Sequence, residues 1–490
     1  MKKAFLQFII ISTLALCASA QAQNVLTLEA CLNTAFDKSY TARSAREQLR
    51  SSEAIAGAAR RALFSTVDLS FDFPSYSRSL QAQFNSNTKR YDYYPLENTQ
   101  FTGRLDISQP IIWTNSSITL SGIMYRQDQS ETGTEGSFTR TFYTNLAMVL
   151  KQPLFVPNTQ RISLRKAEID YEESRSDYRR MLLDLQYTVT DGFYRLYSAQ
   201  EQMKIQSDRV AQQEESFATA QRKYRSGLIA EVEAMQFDVD LAAARNDLLT
   251  AENDFVSRSN SFKTLIGIPL TDSLRLTLTD TSFRAVAIDL PKAVAEAKKT
   301  RVDLQRAKNN VERSQLSLDQ VEGQRTIRGD VTLSYGLSKD DAAFNTLYNK
   351  LRDTRSATFT LTVPVFDWGK HSLDIESAEA NLRSSQLTLE NTEITIEQEI
   401  TDLVRRINSS ARRVSVMYQS RLVAEKANEI NTKRFEVGTI GALELSQAQS
   451  RLLQARLGAL DALIDYNIAL ADIKRRTSWD FVVDKPVEFQ

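Results

Sequence analysis

Lys223-Tyr224-Arg225-Ser226-Gly227-Leu228-Ile229 returns 211 positions later (438 − 227) as Arg434-Phe435-Glu436-Val437-Gly438-Thr439-Ile440. Carried forward without a gap, this alignment lays Glu233 on Glu444, Gln236 on Gln447, Leu241 on Leu452, Ala244 on Ala455 and Arg245 on Arg456. Carried backward, it lays Pro153-Leu154-Phe155 on Pro364-Val365-Phe366 and Ala167-Glu168 on Ala378-Glu379. The chain is therefore two copies of one plan. Both copies also open alike, since Thr27-Leu28 and Asp289-Leu290 each put a capping side chain before a helical run, at an offset of 262 (289 − 27). The difference between the two offsets, 51 residues (262 − 211), is an insertion in the first copy, between its opening helix and Pro153.

The hydrophobic period changes twice within each copy. From Thr27 to about Ala62, and from Asp289 to about Gln324, apolar residues recur at helical spacing. The period then drops to two: Val331, Leu333, Tyr335 and Leu337 alternate with Thr332, Ser334 and Gly336, and Phe359, Leu361, Val363 and Val365 do the same. In the first copy Val67, Leu69, Phe71 and Phe73 open the strand region and Leu146, Met148 and Leu150 close it. Two more candidates lie around Leu105-Ile107 and Ile118-Leu120, so four or six strands are open. After Pro153 and Pro364 the helices resume. Asn158 to Tyr224 holds no proline and one glycine, Gly192, and a continuous helix over it spans ~100 Å. Glycines at 227 and 438 turn the chain, and helix returns over Glu231–Leu265 and Leu443–Lys474.

The expected organisation is a signal peptide over 1–22, a first repeat over 23–288, a second over 289–478 and a tail over 479–490. Met1-Lys2-Lys3, the apolar Ala4–Leu16 and Ala18-Ser19-Ala20-Gln21-Ala22 have the order of a cleaved secretory signal, cut after Ala20 or Ala22. Bulky Leu16 before Cys17 argues against lipidation at that cysteine. Beyond this segment no window has the ~18 consecutive apolar residues of a membrane helix, so a membrane crossing is by barrel.

With 61 basic and 61 acidic side chains there is no basic excess to draw nucleic acid. Cys31 sits in a helical pattern as a buried small side chain, and the single histidine, His371, has no partner that makes a metal site. No phosphate loop, zinc spacing or nucleophile motif is present. The expectation is no enzyme, no metal and no cofactor.

Alternating strands suit a membrane barrel or a soluble sandwich. A sandwich gives no reason for two ~100 Å hairpins to leave it, whereas a barrel extended across the periplasm does. Four to six strands close no barrel and about four helix widths enclose no lumen. Twelve helix widths from three chains give a circumference of ~110 Å. A cyclic homotrimer fits, and geometry alone leaves a tetramer open. The fold class expected is mainly α with a β-barrel contribution, a two-fold repeat of long α-hairpins plus β-hairpins, assembled as a trimeric α/β-barrel channel.

The repeated Tyr/Phe-x-x-Gly-x-x-x-x-x-Glu-x-x-Gln, followed by Leu-x-x-Ala-Arg, with Pro-Leu/Val-Phe at the strand end, resembles the TolC-like outer membrane efflux protein family over nearly all of the chain after the signal. That resemblance implies a homotrimer with a 12-stranded outer-membrane barrel. It also implies a periplasmic helical tunnel that meets an adaptor and an inner-membrane pump and conducts small molecules passively. The insertion departs from this plan, since two added strands per chain allow 18. By the resemblance, Gly227, Leu228, Ile229, Gly438, Thr439 and Ile440 are adaptor-contacting tips, with Arg222, Lys223, Arg225, Lys433 and Arg434 as exposed basic flanks. Glu444 and Gln447 fall where the family places acidic gate rings, so three copies present three carboxylates rather than six. Phe435 falls at the gate aromatic. Trp113, Trp368, Tyr125 and Tyr143, near strand ends, suit an interfacial aromatic belt or ordinary packing. The competing readings are a periplasmic adaptor, which carries one hairpin rather than two, and a coiled-coil scaffold without a pore, which has no use for the strands.

Overall fold

The computed structural model describes residues 24–86, 88–131, 137–277, 283–324 and 327–489; the signal-peptide reading lies outside the described residues. In chain order the elements are β1 (Asn24–Leu26), α1 (Leu28–Lys38), α2 (Tyr40–Arg61), β2 (Thr66–Asn85), β3 (Arg90–Ile111), β4 (Ser116–Glu131), β5 (Ser137–Leu154), α3 (Thr159–Arg225), α4 (Glu231–Ile266) and β6 (Leu274–Leu276). The second copy follows as α5 (Leu290–Thr300), α6 (Val302–Glu322), β7 (Arg328–Asp341), β8 (Arg352–Thr362), α7 (Lys370–Glu436) and α8 (Ala442–Thr477), and the tail forms β9 (Trp479–Asp480) and β10 (Lys485–Pro486).

The repeat holds residue for residue in the elements. Helices α3 and α7 are both 67 residues long, and α4 and α8 both 36, each pair displaced by 211 (370 − 159, 442 − 231). The opening helical runs are each broken once, at Ser39 and at Arg301, which again stand 262 apart (301 − 39). One continuous helix per run was expected. Instead both residues adopt extended backbone, ψ 143° and 123°. Buried Ser39 then caps α2 by accepting from the Ala42 amide at 3.1 Å. Thr27 caps α1 as expected, accepting from the Ala30 amide at 3.4 Å, whereas Asp289 makes no side-chain cap bond at α5. The strand expected over Thr358–Val365 is displaced: β8 starts at Arg352 and ends at Thr362, so Val363 and Val365 lie beyond it.

Two compact units result, each assembled from both copies. One comprises residues 50–174 and 306–389. It contains a single antiparallel sheet of six strands in the order β2-β3-β4-β5-β7-β8. β2 corresponds to β7 at the 262 offset (328 − 66), and β5 pairs with β7 from Phe142↔Asp341 to Leu154↔Gly329. The 51 extra residues are thus accommodated by the additional hairpin β3–β4, and the strand number left open by the sequence is six. In the same unit the start of α3 is pinned to α6 by Arg165 on Glu312 (2.6 Å), Arg313 on Glu173 (2.9 Å) and Lys166 on Gln320 (2.8 Å).

The other unit comprises the described residues within 1–49, 175–305 and 390–490. One of its cores gathers Cys31 and Ala35 of α1, Leu185, Val189 and Phe193 of α3, Phe262 and Ile266 of α4, and Leu274 and Leu276 of β6, which pairs in parallel with β1. Burial among these side chains pushes the Cys31 thiol up to about 12, so the expected inert apolar role holds. α4 ends on Gly267 at φ +77°, where a Cβ would stand 2.5 Å from the Lys38 carbonyl oxygen. Ser478 ends α8 in the same left-handed conformation.

Eight charges close a circuit in this unit. Arg180 bonds Asp303 (2.7 Å), Asp303 Arg301 (2.8 Å), Arg301 Glu399 (3.0 Å) and Glu399 Arg476 (2.6 Å). Arg476 bonds Asp472 (3.2 Å), Asp472 Arg475 (2.7 Å), Arg475 Asp184 (3.3 Å), and Asp184 returns to Arg180 at 3.7 Å. The circuit ties α3, α6, α7 and α8 together around a cavity of about 310 Å³. It explains why Arg301 interrupts the helical run: outside the helix, its guanidinium reaches both Asp303 and Glu399. Glu399→Gln leaves Arg301 and Arg476 without their shared carboxylate and is expected to cost about 1–2 kcal/mol, between exposed and buried ion pairs. Melting in dilute buffer and in 1 M salt checks it, because the gap to the unmodified protein should narrow as salt screens the circuit.

Candidate functional site

Strand register sorts the sheet into two chemically different faces. The row Val67, Ile107, Leu120, Met148, Tyr335 crosses five paired strands on one face. One residue along, Asp68, Asp106, Ser121, Ala147, Gly336 and Thr354 form the row on the other. The apolar face continues through Leu69, Phe71, Leu105, Met124, Leu146, Leu333, Phe359 and Leu361, all exposed. The polar face is knitted by hydroxyls, with Ser121 donating to Asp106 at 2.5 Å, Ser108 within 3.3 Å of Thr119, and Ser334 within 2.6 Å of Ser356. A soluble sheet hides its apolar face, and this one displays it. Among the described residues the outermost strands, β2 and β8, each have one unpaired edge.

Tyr125 and Tyr143, for which the sequence reading left an interfacial belt or ordinary packing open, are register partners stacked at 4.8 Å. They alternate with the apolar row and so share the polar face, which favours the packing alternative over the belt. Trp113 follows β3, Trp368 precedes α7, and both rings are almost wholly exposed. Phe366 packs on Trp368 at 4.7 Å.

In the helical unit the two hairpin turns form a second candidate site. Gly227 and Gly438 both take positive φ, +71° and +80°, as the turn reading required. Below them Phe435 is 2% exposed, its ring 5.3 Å from Phe237, in one cluster with Ala220, Ala442 and Leu445, flanked by Phe217, Ile229 and Ile440. The expected gate aromatic therefore sits inside the tip, whereas its repeat partner Tyr224 is 41% exposed. Lys223 was expected as an exposed flank. It is instead half-buried, its ammonium 4.4 Å above the Phe435 ring and donating to the Phe435 carbonyl oxygen.

Leu228, Gly438 and Thr439 are exposed at the turns, while Ile229 and Ile440 are half-buried against the cluster. Glu444 and Gln447 lie on the exposed side of α8, one turn apart, outside that cluster. Lys433 and Lys426 hold the Glu429 carboxyl down to about 2. Each hairpin carries the same strut at the 211 offset, Arg245 on Glu214 at 2.7 Å and Arg456 on Glu425 at 3.4 Å.

Two features escaped the sequence reading. One is Phe237, which aligns with Ala448, so the repeat alone marks it as a place where the copies differ. The other is a buried amide chain, Gln213 to Gln449 at 3.1 Å and Gln449 to Ser216 Oγ at 3.0 Å, which joins α3 to α8. Among the described residues no cluster of His, Cys, Asp and Glu could hold a metal ion, and no helix is long and apolar enough to cross a membrane.

Residues 112–268 and 293–477, more than half of the chain, match the family model described as outer membrane efflux protein. No curated protein is a detectable sequence relative. Solved structures with the same fold include the outer-membrane channel OprN (16% identity, 92% of this chain and 89% of that one, TM-score 0.69). The outer membrane protein VceC of Vibrio cholerae is similar (14%, 94% and 97%, 0.69), as is the CmeC outer membrane channel of Campylobacter jejuni (15%, 94% and 87%, 0.68).

Proposed function

Because this chain belongs to the outer membrane efflux protein family, and is thus an outer-membrane channel protein rather than an enzyme, we propose that three copies form one duct running from the periplasm to the exterior. The observation that carries this reading is the two-faced sheet with two unpaired edges. An open edge invites pairing with another chain, and joining β8 of one copy to β2 of the next in a ring of three gives 18 strands. The apolar rows then meet lipid and the polar rows line water. Exposed Trp113 and Trp368 suit the membrane interface at the helix-proximal ends of the strands.

The long hairpins extend this pore as a periplasmic tube. The turns at Gly227, Leu228, Ile229 and at Gly438, Thr439, Ile440 are the surfaces for a periplasmic adaptor, through which an inner-membrane pump delivers cargo. Conduction is passive: the tip opens, and small molecules leave through the barrel. Three copies of Glu444, with neutral Gln447 one turn further, make one ring of negative charge at the entrance, which favours cations. Phe435 acts at this gate by fixing the tip from within, since its ring has no face toward the lumen.

Single-channel recording in a planar bilayer tests the proposal. Folded protein should give discrete cation-preferring conductance steps, and Glu444→Gln should lower the cation preference about two-fold or more, by removing three like charges from a narrow ring. A folded trimer that passes no current would refute the channel, and unchanged selectivity in the variant would refute the ring.

A further inference from the structure

The 211-residue repeat places the same pair of chemistries on both hairpins, a cation followed by an aromatic: Lys223-Tyr224 and Arg434-Phe435. Within one chain only half of this set is used. Lys223 lies over Phe435, while Arg434 and Tyr224 are both exposed. We propose that Arg434 of one copy lies over Tyr224 of a second copy, so that the contact between hairpins inside the chain is repeated between chains. This rests on the trimeric reading above and deepens it by assigning the seam.

The same transfer can be made for every contact between the first hairpin and the second, adding 211 to one partner and subtracting it from the other. Gln449 fills the space beside Gln213 and Ser216. The corresponding positions are Asp238 of the second copy and Ala424 and Ala427 of the first. The surface fits this prediction. Ala424, Ala427, Ala448 and Arg451 line an open groove of about 720 Å³ along α7 and α8. Small side chains leave there the room that a helix from another copy needs.

The helix to be received, the start of α4, presents Val232, 71% exposed, with Met235 and Val239 beside it. Those residues recur at three and four positions, the spacing of one apolar helix stripe. The groove's α7 wall displays Val416 and Val423, and the seven-residue spacing continues beyond the groove through Ile430 to Val437, just past the helix end and 75% exposed. Charge agrees as well, since the incoming stripe is flanked by Glu231, Glu233 and Asp238, and the receiving side carries exposed Arg434 and Arg451, beside Lys426 and Lys433 that already share Glu429. A groove on the second hairpin that takes the first hairpin of another copy is a head-to-tail interface. Such an interface closes into a ring when its rotation allows.

Cysteine pairs test the assignment in the full chain. Cys31 can stay, because its thiol is buried and its pKa raised. The purified Asp238→Cys/Ala427→Cys double variant, treated with a short bis-maleimide, should give covalent dimers and trimers on denaturing gels, and each single variant none. Ser216→Cys/Gln449→Cys should cross-link within one chain and serves as the folding control. Adding Arg434→Glu should cut the interchain yield at least five-fold and leave the control unchanged, with Arg434→Lys restoring it. A trimer by light scattering in which residues 238 and 427 do not cross-link overturns the seam and leaves the trimeric duct standing. A chain that stays monomeric while the control pair cross-links overturns both.

Discussion

Leu120→Arg is expected to abolish recovery of folded protein from outer-membrane fractions, while Thr119→Arg, one residue away, leaves assembly intact and alters only conduction. Leu120 stands in the middle of the apolar rows, opposite Ile107 on one neighbour and Met148 on the other. An arginine there faces lipid, at about 2–4 kcal/mol per chain near the middle of the bilayer. Three copies in one barrel multiply the penalty, against a net folding stability of roughly 5–15 kcal/mol for a typical domain. Thr119 points the other way, its hydroxyl 3.3 Å from Ser108 on the face that also carries Asp106. An added cation in that position keeps its hydration and opposes passing cations, so single-channel cation preference should fall. Membrane fractionation with a folding-sensitive gel shift reads the first effect and bilayer recording the second. If Leu120→Arg assembles normally and Thr119→Arg does not, the two faces have been assigned the wrong way round.

The faces were legible in the sequence because a strand's period of two writes burial directly into residue order, as Val331, Leu333, Tyr335 and Leu337 show. Helix lengths were legible for a similar reason. Proline and glycine are scarce between Asn158 and Tyr224, and α3 ends one residue past the expected limit. What could not be read depended on partners remote in sequence. The breaks at Ser39 and Arg301 contain neither glycine nor proline; the second makes sense only once Glu399, 98 positions away, is seen to take the Arg301 guanidinium. Tyr125 and Tyr143 stayed open between a membrane belt and ordinary packing because an aromatic near a strand end looks the same from either face until register fixes which way it points. At the tip, residue type suggested that Lys223 was a solvated flank. Only the fold brings Phe435, 212 positions on, beneath its ammonium.

Phe435→Ala is expected to loosen the tip by about 3–5 kcal/mol, the cost of emptying a buried phenylalanine site. Tyr224→Ala, at the equivalent repeat position, should leave the isolated chain nearly unchanged, because that ring is largely exposed. The asymmetry follows from what each ring touches. Phe435 packs on Phe237 at 5.3 Å, shares a cluster with Ala220, Ala442 and Leu445, and supports the Lys223 ammonium. Its loss removes the aromatic part of the link between the two hairpins at their turns, leaving the Lys223 bond to the carbonyl of residue 435 and Ser446 on Asp240 (2.8 Å), whereas Arg209 on Asp247 (2.6 Å) and the Gln213–Gln449–Ser216 amide chain still hold the helices further along. The damage should therefore be local, as expected of a long helical hairpin whose end opens without global unfolding. Amide hydrogen exchange should accelerate by two or more orders of magnitude around 217–240 and 430–450, while α1 and its core with Phe193 and Phe262 exchange as before. On the proposed gate, a leak of small ions through the variant channel should accompany it, since Phe435 packs against Ala442 and Leu445 of the helix turn that carries Glu444. Unchanged exchange at the turns would show that the Phe435 cluster does not hold the tip together, and the duct would then need another element to close it.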